Sequence, residues 1–143
     1  MGSFIAINVL AYLSIYEGQS LLIAPFGAST VLLFGFEESP LAQPRNLIMG
    51  NLLGGISAVF SFHFFGNNHF SCGLAVATTI ALGQLLRCLH PPAGAVALLG
   101  VISKANFNFV LSPVLLGSLV LVTWGIIFNR IFNKKIIYPV HWI

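Results

Sequence analysis

The sequence predicts an all-α membrane protein, a helical bundle that forms a single transmembrane domain over residues 1–143. Of its 143 residues 57% are hydrophobic and only 6% are charged, whereas a soluble domain carries about 25% charged residues. Apolar segments separated by short polar turns follow one another, and none alternates with the period of two expected of membrane strands. Because backbone polar groups in lipid must be satisfied within each segment, the segments are expected to be helices.

Six apolar segments are predicted, with boundaries set by prolines, glycines and polar residues. They are Ser3–Tyr16, Ser20–Phe36, Asn46–Phe65, Phe70–Leu86, Pro91–Ile102 and Leu111–Phe132. The second is interrupted by Pro25, and the fifth begins at a double proline. The third, fourth and sixth approach the roughly 20 residues that a spanning helix needs, whereas the second and fifth are shorter. The first has no signal-peptide cleavage site, so we interpret it as a retained span.

Two tandem repeats of about 67 residues are predicted, spanning 3–66 and 70–133, each made of a helix, a proline-broken short helix and a helix. Shifting the sequence by 67 residues superimposes Pro25 on Pro92, Gly27 on Gly94 and Gly50 on Gly117. Three spans per repeat is an odd number, so the second repeat would be inverted relative to the first.

The distribution of basic residues predicts the orientation of the spans. With six spans, one face receives Arg45, Arg87, Arg130, Lys134 and Lys135, and the other receives only Lys104. With re-entrant second and fifth segments, the six cations divide evenly between the faces. Because cytoplasmic loops carry an excess of Lys and Arg, the uneven split favours six membrane segments with both termini in the cytoplasm. Re-entrant hairpins stay open as an alternative, since two segments are short.

The motif RCLHPPAGAVALLG, Arg87–Gly100, places an arginine, a histidine and two prolines inside an apolar region. Proline is favoured in the first turn of a helix, so a helix is predicted to start at Pro91 or Pro92. A helix N-terminus offers N–H groups and partial positive charge to an anion. The motif therefore predicts an anion site, to which Arg87 and His90 would add cationic donors.

The first repeat contains a counterpart of this motif, APFGAST, in which Ser29 and Thr30 supply hydroxyl groups. Broken helices at matching points of inverted repeats are typical of the binding site of a transporter. Small residues beside both breaks would let the backbone approach a neighbour or a ligand closely. The candidate substrate-binding residues are Arg87, His90, Pro91, Pro92, Gly94 and Ala95, with Pro25, Gly27, Ala28, Ser29 and Thr30.

Each of these features also has a structural interpretation. Arg87 would serve as an anchor in the cytoplasmic headgroups, and His90 would cap a helix or lie at the interface. The prolines would only form a turn, and the hydroxyls of Ser29 and Thr30 would bond to carbonyls of their own helix.

Several classes of function are disfavoured by composition. A net charge of +3 without basic clusters argues against a nucleic-acid partner. Cys72 and Cys88 lack metal-ligand spacing, so they are interpreted as small buried apolar residues, and neither a metal nor another cofactor is predicted. No constellation of nucleophile, base and acid suggests hydrolysis, and no phosphate-binding loop suggests ATP-driven transport. We therefore expect no catalytic residues and no enzymatic activity.

Three blocks, PFGASTVLLF, SPLAQPRNLIMGNLLGG and LRCLHPPAGAVALLG, resemble the HPP family of integral membrane proteins over about Ile23–Asn129. The resemblance marks Pro25, Phe26, Gly27, Ala28 and Ser29; Pro40, Leu41, Gln43, Pro44, Arg45 and Asn46; and Arg87, His90, Pro91, Pro92, Gly94 and Ala95. We interpret Pro40, Gln43, Pro44, Arg45 and Asn46 as a structural loop motif. The family is usually described as having four membrane-spanning helices, which differs from the six segments counted above.

Members of that family from cyanobacteria and plastids are associated with nitrite transport. The resemblance therefore implies a secondary transporter or channel for a small inorganic anion, nitrite first, in a cyanobacterial plasma membrane or a plastid envelope. The alternative is a structural membrane protein without transport activity. The expected partners are the lipid bilayer and a small anion, and the small size of one copy suggests a homo-oligomer.

Overall fold

The computed structural model describes residues 1–17, 22–132 and 137–140, and within these ranges the chain is helical with no strand. Six helices are found there: α1 (Gly2–Glu17), α2 (Ala24–Gly35), α3 (Pro44–Phe65), α4 (His69–Leu85), α5 (Pro92–Ile102) and α6 (Phe107–Phe132). A short 3₁₀ turn, Pro40–Ala42, lies between α2 and α3. The predicted all-α fold class is confirmed.

Proline sets the first turn of three helices, since its missing N–H would lack a helical partner there anyway. Pro25 is the second residue of α2, so it begins this helix and does not interrupt a longer one, as the sequence had suggested. Pro44 begins α3, two residues before the predicted start, and Pro92 begins α5. Residues 20–21 of the predicted second segment lie outside the described residues.

The start of α6 departs most from the prediction. The helix begins at Phe107, four residues before the predicted Leu111, but Val110–Leu115 is irregular and Ser112 leaves the helical region with φ −138 and ψ 121. Pro113 follows Ser112 and has no N–H to donate to the preceding turn. The sequence analysis did not anticipate this interruption.

The helices pack as two groups of three that share one core. In the first group α3, α4 and α5 contact one another, and in the second α1, α2 and α6 do so. The groups meet where α2 contacts α5 and where α3 contacts α6. The main core includes Phe26, Leu33, Leu47, Val96 and Leu121. A smaller cluster of Ala58, Ala75, Ala97 and Val101 lies within the first group, where small side chains permit close helix packing.

Two helices, α3 with 22 residues and α6 with 26, are long and apolar enough to cross a bilayer. At 1.5 Å per residue α2 and α5 are only about 17–18 Å long, short of the roughly 30 Å hydrocarbon core. Large apolar side chains such as Phe4, Ile15 and Phe64 are exposed on the outer surface, as lipid contact requires. Six complete spans, cytoplasmic termini and the internal repeat stay predictions.

Candidate functional site

His90 is the meeting point of the three sequence blocks. Its side chain is only 1% exposed and lies in the connection between α4 and α5, residues 86–91. The imidazole Nδ1 lies 2.9 Å from the Leu41 carbonyl oxygen, and Nε2 lies 2.9 Å from Ser29 Oγ. One side chain thus joins α2, the α2–α3 connection and the start of α5, so the two proline-started helices do meet.

The hydrogen bonds fix one proton of His90. A carbonyl only accepts, so Nδ1 carries a proton and donates to Leu41, whereas the Ser29 hydroxyl can either donate to Nε2 or accept from it. The connection lies outside both helices, and burial there lowers the pKa of His90 from 6.5 to about 4. Burial therefore favours the neutral ring over the cationic donor that the sequence predicts at neutral pH.

Two side chains at the start of α3 hold the α4–α5 connection in place. Arg45 Nη2 donates to the Leu86 carbonyl at 2.9 Å, and Asn46 Nδ2 donates to the Leu89 carbonyl at 2.8 Å. Gly50, one turn further on, has no room for a side chain, because an added Cβ would lie 2.6 Å from the Cβ of His90. The first two turns of α3 therefore hold the α4–α5 connection in its conformation.

The rest of the loop motif organises the α2–α3 connection. Gln43 Nε2 donates to the carbonyls of Glu37 and Ser39, and Gln43 Oε1 accepts from the Val140 amide at 2.9 Å. Tyr138 donates its hydroxyl to the Ala42 carbonyl at 3.0 Å. Pro40 begins the 3₁₀ turn, and Pro44 is buried at the start of α3. These contacts agree with the structural interpretation of this block.

The two helix starts differ from the predicted anion sites. Neither proline of the α5 start has an N–H, and the amides of Ala93 and Gly94 already donate to the carbonyls of His90 and Pro91. At the start of α2, the Phe26 amide donates to the Ile23 carbonyl at 3.0 Å. The expectation that free N–H groups await an anion is wrong for these amides.

The small residues beside the breaks do not make the close approaches that the sequence suggested. Among the described residues, nothing lies within 4 Å of a Cβ added at Gly27, and at Gly94 only Val76 does, at 3.8 Å. Ala28 is exposed, like Gly27. Thr30 donates to the Gly27 carbonyl at 2.7 Å, as in the local-bonding alternative.

Arg87 lies apart from the Ser29–His90 contact. Its side chain is exposed and makes no hydrogen bond or ion pair within the described ranges. Its backbone has a left-handed φ of 53°, and its amide donates to the Gln84 carbonyl at 3.2 Å. Pro25 and Pro92 are buried, whereas Pro91 and Ala95 are exposed. His90, Pro91, Gly94 and Ala95 line a groove with a volume of about 580 Å³ beside α3, α4 and α5.

The sequence analysis missed a second polar contact, between α3 and α6. Asn51 Nδ2 donates to Ser118 Oγ at 3.1 Å, and both side chains are fully buried. The amide oxygen of Asn51, Oδ1, is buried and has no hydrogen-bond partner among the described residues. The available signal was an asparagine in the middle of an apolar segment, 67 residues before a serine in the equivalent segment.

The comparisons with known proteins agree with the sequence blocks. The family model described as "HPP, transmembrane region" matches residues 1–139. Two transmembrane proteins of Dictyostelium discoideum are 38% and 37% identical to the chain over 99% of its length. The chain covers 54% and 49% of those proteins, so it spans about half the length of these curated relatives. No solved structure matches the chain.

The match covers the buried contacts as well as the motifs, since Ser29, His90, Asn51 and Ser118 all lie within residues 1–139. The relatives are themselves named transmembrane proteins, in agreement with the two helices long enough to span a bilayer. This chain belongs to the HPP family of transmembrane proteins.

Proposed function

We propose that this chain transports a small inorganic anion across a membrane, with nitrite as the substrate to test first. The observation that carries the proposal is a buried polar seam, defined as the Ser29–His90 and Asn51–Ser118 contacts. The seam lies where α2 meets α5 and α3 meets α6, that is, between the two groups of helices. The resemblance of the three motifs to nitrite-associated members of the family supports nitrite as the substrate.

The energetics of Asn51 favour a role beyond packing. A buried polar atom without a partner costs about 1–3 kcal/mol, and an apolar side chain of similar size would avoid that cost. With the amide oriented so that Nδ2 donates to Ser118, Oδ1 has no partner among the described residues. With the amide rotated, Ser118 Oγ donates to Oδ1, and Nδ2 is left to donate elsewhere. An unpaired amide N–H in an apolar interior is a suitable contact for a partly dehydrated anion oxygen.

The arrangement of helices supports two inverted repeats as the frame of this seam. A shift of 67 residues moves α1 to 69–84, α2 to 91–102 and α3 to 111–132. These ranges overlap closely with those of α4 (His69–Leu85), α5 (Pro92–Ile102) and α6 (Phe107–Phe132). The same shift relates Asn51 to Ser118. In transporters built this way, substrate sites lie near the midplane between the repeats. A two-fold axis that relates the two repeats would pass between Asn51 and Ser118, because these two related residues contact each other.

The chemistry of the seam suits a neutral site. Its donors are hydroxyl and amide groups, and its histidine is neutral, so selection would rest on hydrogen bonds to the anion oxygens and on size. The prolines would fix the starts of two short helices: α2, which contains Ser29, and α5, which follows His90. Arg87 would lie outside the pathway, in contrast to the sequence-based expectation.

A purely structural role is the second candidate, and one observation favours it. Arg45, Asn46 and Gln43, all within the loop motif, donate to carbonyls of the chain itself. A membrane protein that only shapes a larger assembly would need no more than these contacts.

Nitrite uptake into proteoliposomes that contain only the purified protein separates the two candidates. We expect uptake above that of protein-free liposomes, and at least about a tenfold loss, equivalent to 1.4 kcal/mol, in Asn51→Leu. The matched control is Asn129→Leu, because Asn129 is also buried but bonds within its own helix, to Gly125. Absence of uptake by the wild type would favour the structural role.

A further inference from the structure

The groove beside α5 has a shape and lining that suit an acyl chain. Its volume of about 580 Å³ lies within the range of about 300–1,000 Å³ that is typical of ligand pockets. It is lined by Val76, Ile80 and Gly83 of α4, and by Gly94, Ala95 and Leu98 of α5. The recess exists because Gly94 and Ala95 have small side chains. Among the described residues, a Cβ added at Gly94 would meet only Val76, at 3.8 Å. Ile80 and Leu98 are about 40% exposed at its rim.

One end of the groove is formed by the α4–α5 connection, where two cations gather. Cys88, Leu89 and His90 line the groove there, and Arg87 directly precedes them. Arg45 is bound to the Leu86 carbonyl at 2.9 Å, which brings its guanidinium to the same end. Burial raises the pKa of the Cys88 thiol, and the positive charge of Arg45 partly offsets this, which agrees with a guanidinium close to the groove.

The charge of this end is not neutralised by acidic partners within the described residues. The Arg87 side chain is exposed and has no hydrogen bond or ion pair there, and Arg45 bonds to a carbonyl, not to a carboxylate. The acids nearest in sequence to Arg45 are Glu37 and Glu38, in the α2–α3 connection. Two guanidinium groups above an apolar recess are complementary to a phosphate above an acyl chain.

We propose that this groove binds an anionic phospholipid, with one acyl chain against α4 and α5 and the phosphate on Arg87 and Arg45. The inference rests on the groove and its charge, and does not depend on the transport proposal. It gives Arg87 a defined ligand at the membrane surface. It also explains why the part of the chain that the structure describes leaves the Ala95 face of α5 uncovered.

The test is lipid binding to the purified protein in detergent, measured by native mass spectrometry with phosphatidylglycerol and phosphatidylcholine of equal chain length. The wild type should bind phosphatidylglycerol roughly tenfold more tightly. Arg87→Gln should reduce this preference several-fold, and the charge of Arg45 should preserve the remainder. The matched control is Lys104→Gln, because Lys104 is also exposed, with a left-handed φ of 55°, and follows α5 at the opposite end of that helix.

The apolar part of the site has its own pair of variants. Ala95→Phe should fill the groove and weaken the binding of both lipids. Ala28→Phe should leave lipid binding unchanged, because Ala28 is exposed on α2, 67 residues before Ala95, and does not line the groove. Equal affinity of the wild type for the two lipids would overturn the proposal. So would equal losses in Arg87→Gln and Lys104→Gln, or unchanged binding in Ala95→Phe. Dissociation of a dimer by Ala95→Phe would also overturn it, since a second copy would then cover the groove.

Discussion

At the scale of single residues, His90 is the side chain on which most of the motifs depend. It is buried, one ring nitrogen donates to Leu41 and the other contacts Ser29, and Gly50 leaves the space that it occupies. The histidine of the motif therefore connects α2 to the two loops through buried hydrogen bonds. The cationic residue beside it, Arg87, is at the surface.

The stability of the protein should depend on pH through His90. Its pKa in the folded state, about 4, lies below the ordinary value of 6.5, so the unfolded chain binds the proton more readily. The free energy of unfolding should be fully retained above pH 6.5 and should fall as pH is lowered toward 4. When thermal unfolding is measured in detergent across this pH range, the free energy of unfolding should fall less in His90→Gln than in His63→Gln. The second variant is the control, because His63 is exposed. Identical profiles would contradict a buried neutral His90.

Two glycines provide a matched test of the close approach at His90. Gly50→Ala should lower the free energy of unfolding by about 1–3 kcal/mol, because the new Cβ would meet His90 Cβ at 2.6 Å and the Cys88 carbonyl at 3.0 Å. Gly27→Ala should be neutral or stabilising by up to about 1 kcal/mol, since it meets nothing within 4 Å and alanine favours a helix. The measurement is denaturation in detergent. The opposite ranking would mean that α3 does not pack against the connection as described.

At the scale of elements, the α4–α5 connection is held by the start of α3. Asn46→Ala should remove the hydrogen bond to Leu89, at a cost of about 1 kcal/mol, and loosen the connection. Cys88, which is 1% exposed, reports this directly: in a background without Cys72, its reaction with a maleimide should accelerate. Asn67→Ala is the control, because Asn67 donates to the Ile102 carbonyl, which ends the α5 helix. Equal labelling rates in both variants would argue against this role of Asn46.

Sequence alone predicted the helical elements well, because prolines and polar turns mark their ends. It located the helix start at Pro92, but it treated Pro25 as a break within a longer segment, whereas Pro25 lies in the first turn of α2. It could not assign partners to Arg45 and Asn46, because their acceptors, Leu86 and Leu89, are backbone carbonyls about forty residues away. It also missed the interruption at Ser112, although Pro113 was a readable signal.

At the scale of the whole molecule, the orientation in the membrane is the open prediction. If the charge distribution sets the topology, Ser39 and Lys104 should lie on opposite sides. Single cysteines at these positions, in a background without Cys72 and Cys88, should react with a membrane-impermeant reagent from opposite sides of right-side-out vesicles. Reaction of both from one side would show that α2 and α5 are re-entrant, consistent with their short lengths.

In the proposed transport, the anion passes along the polar seam between the two groups of helices, so a cysteine placed at Ser118 should line its pathway. The protein should carry Ser118→Cys without Cys72 and Cys88, in proteoliposomes that take up nitrite. We expect a small methanethiosulfonate reagent to modify this cysteine and abolish uptake, and nitrite to slow the modification. Full nitrite uptake after stoichiometric modification at this position would show that the anion takes another path.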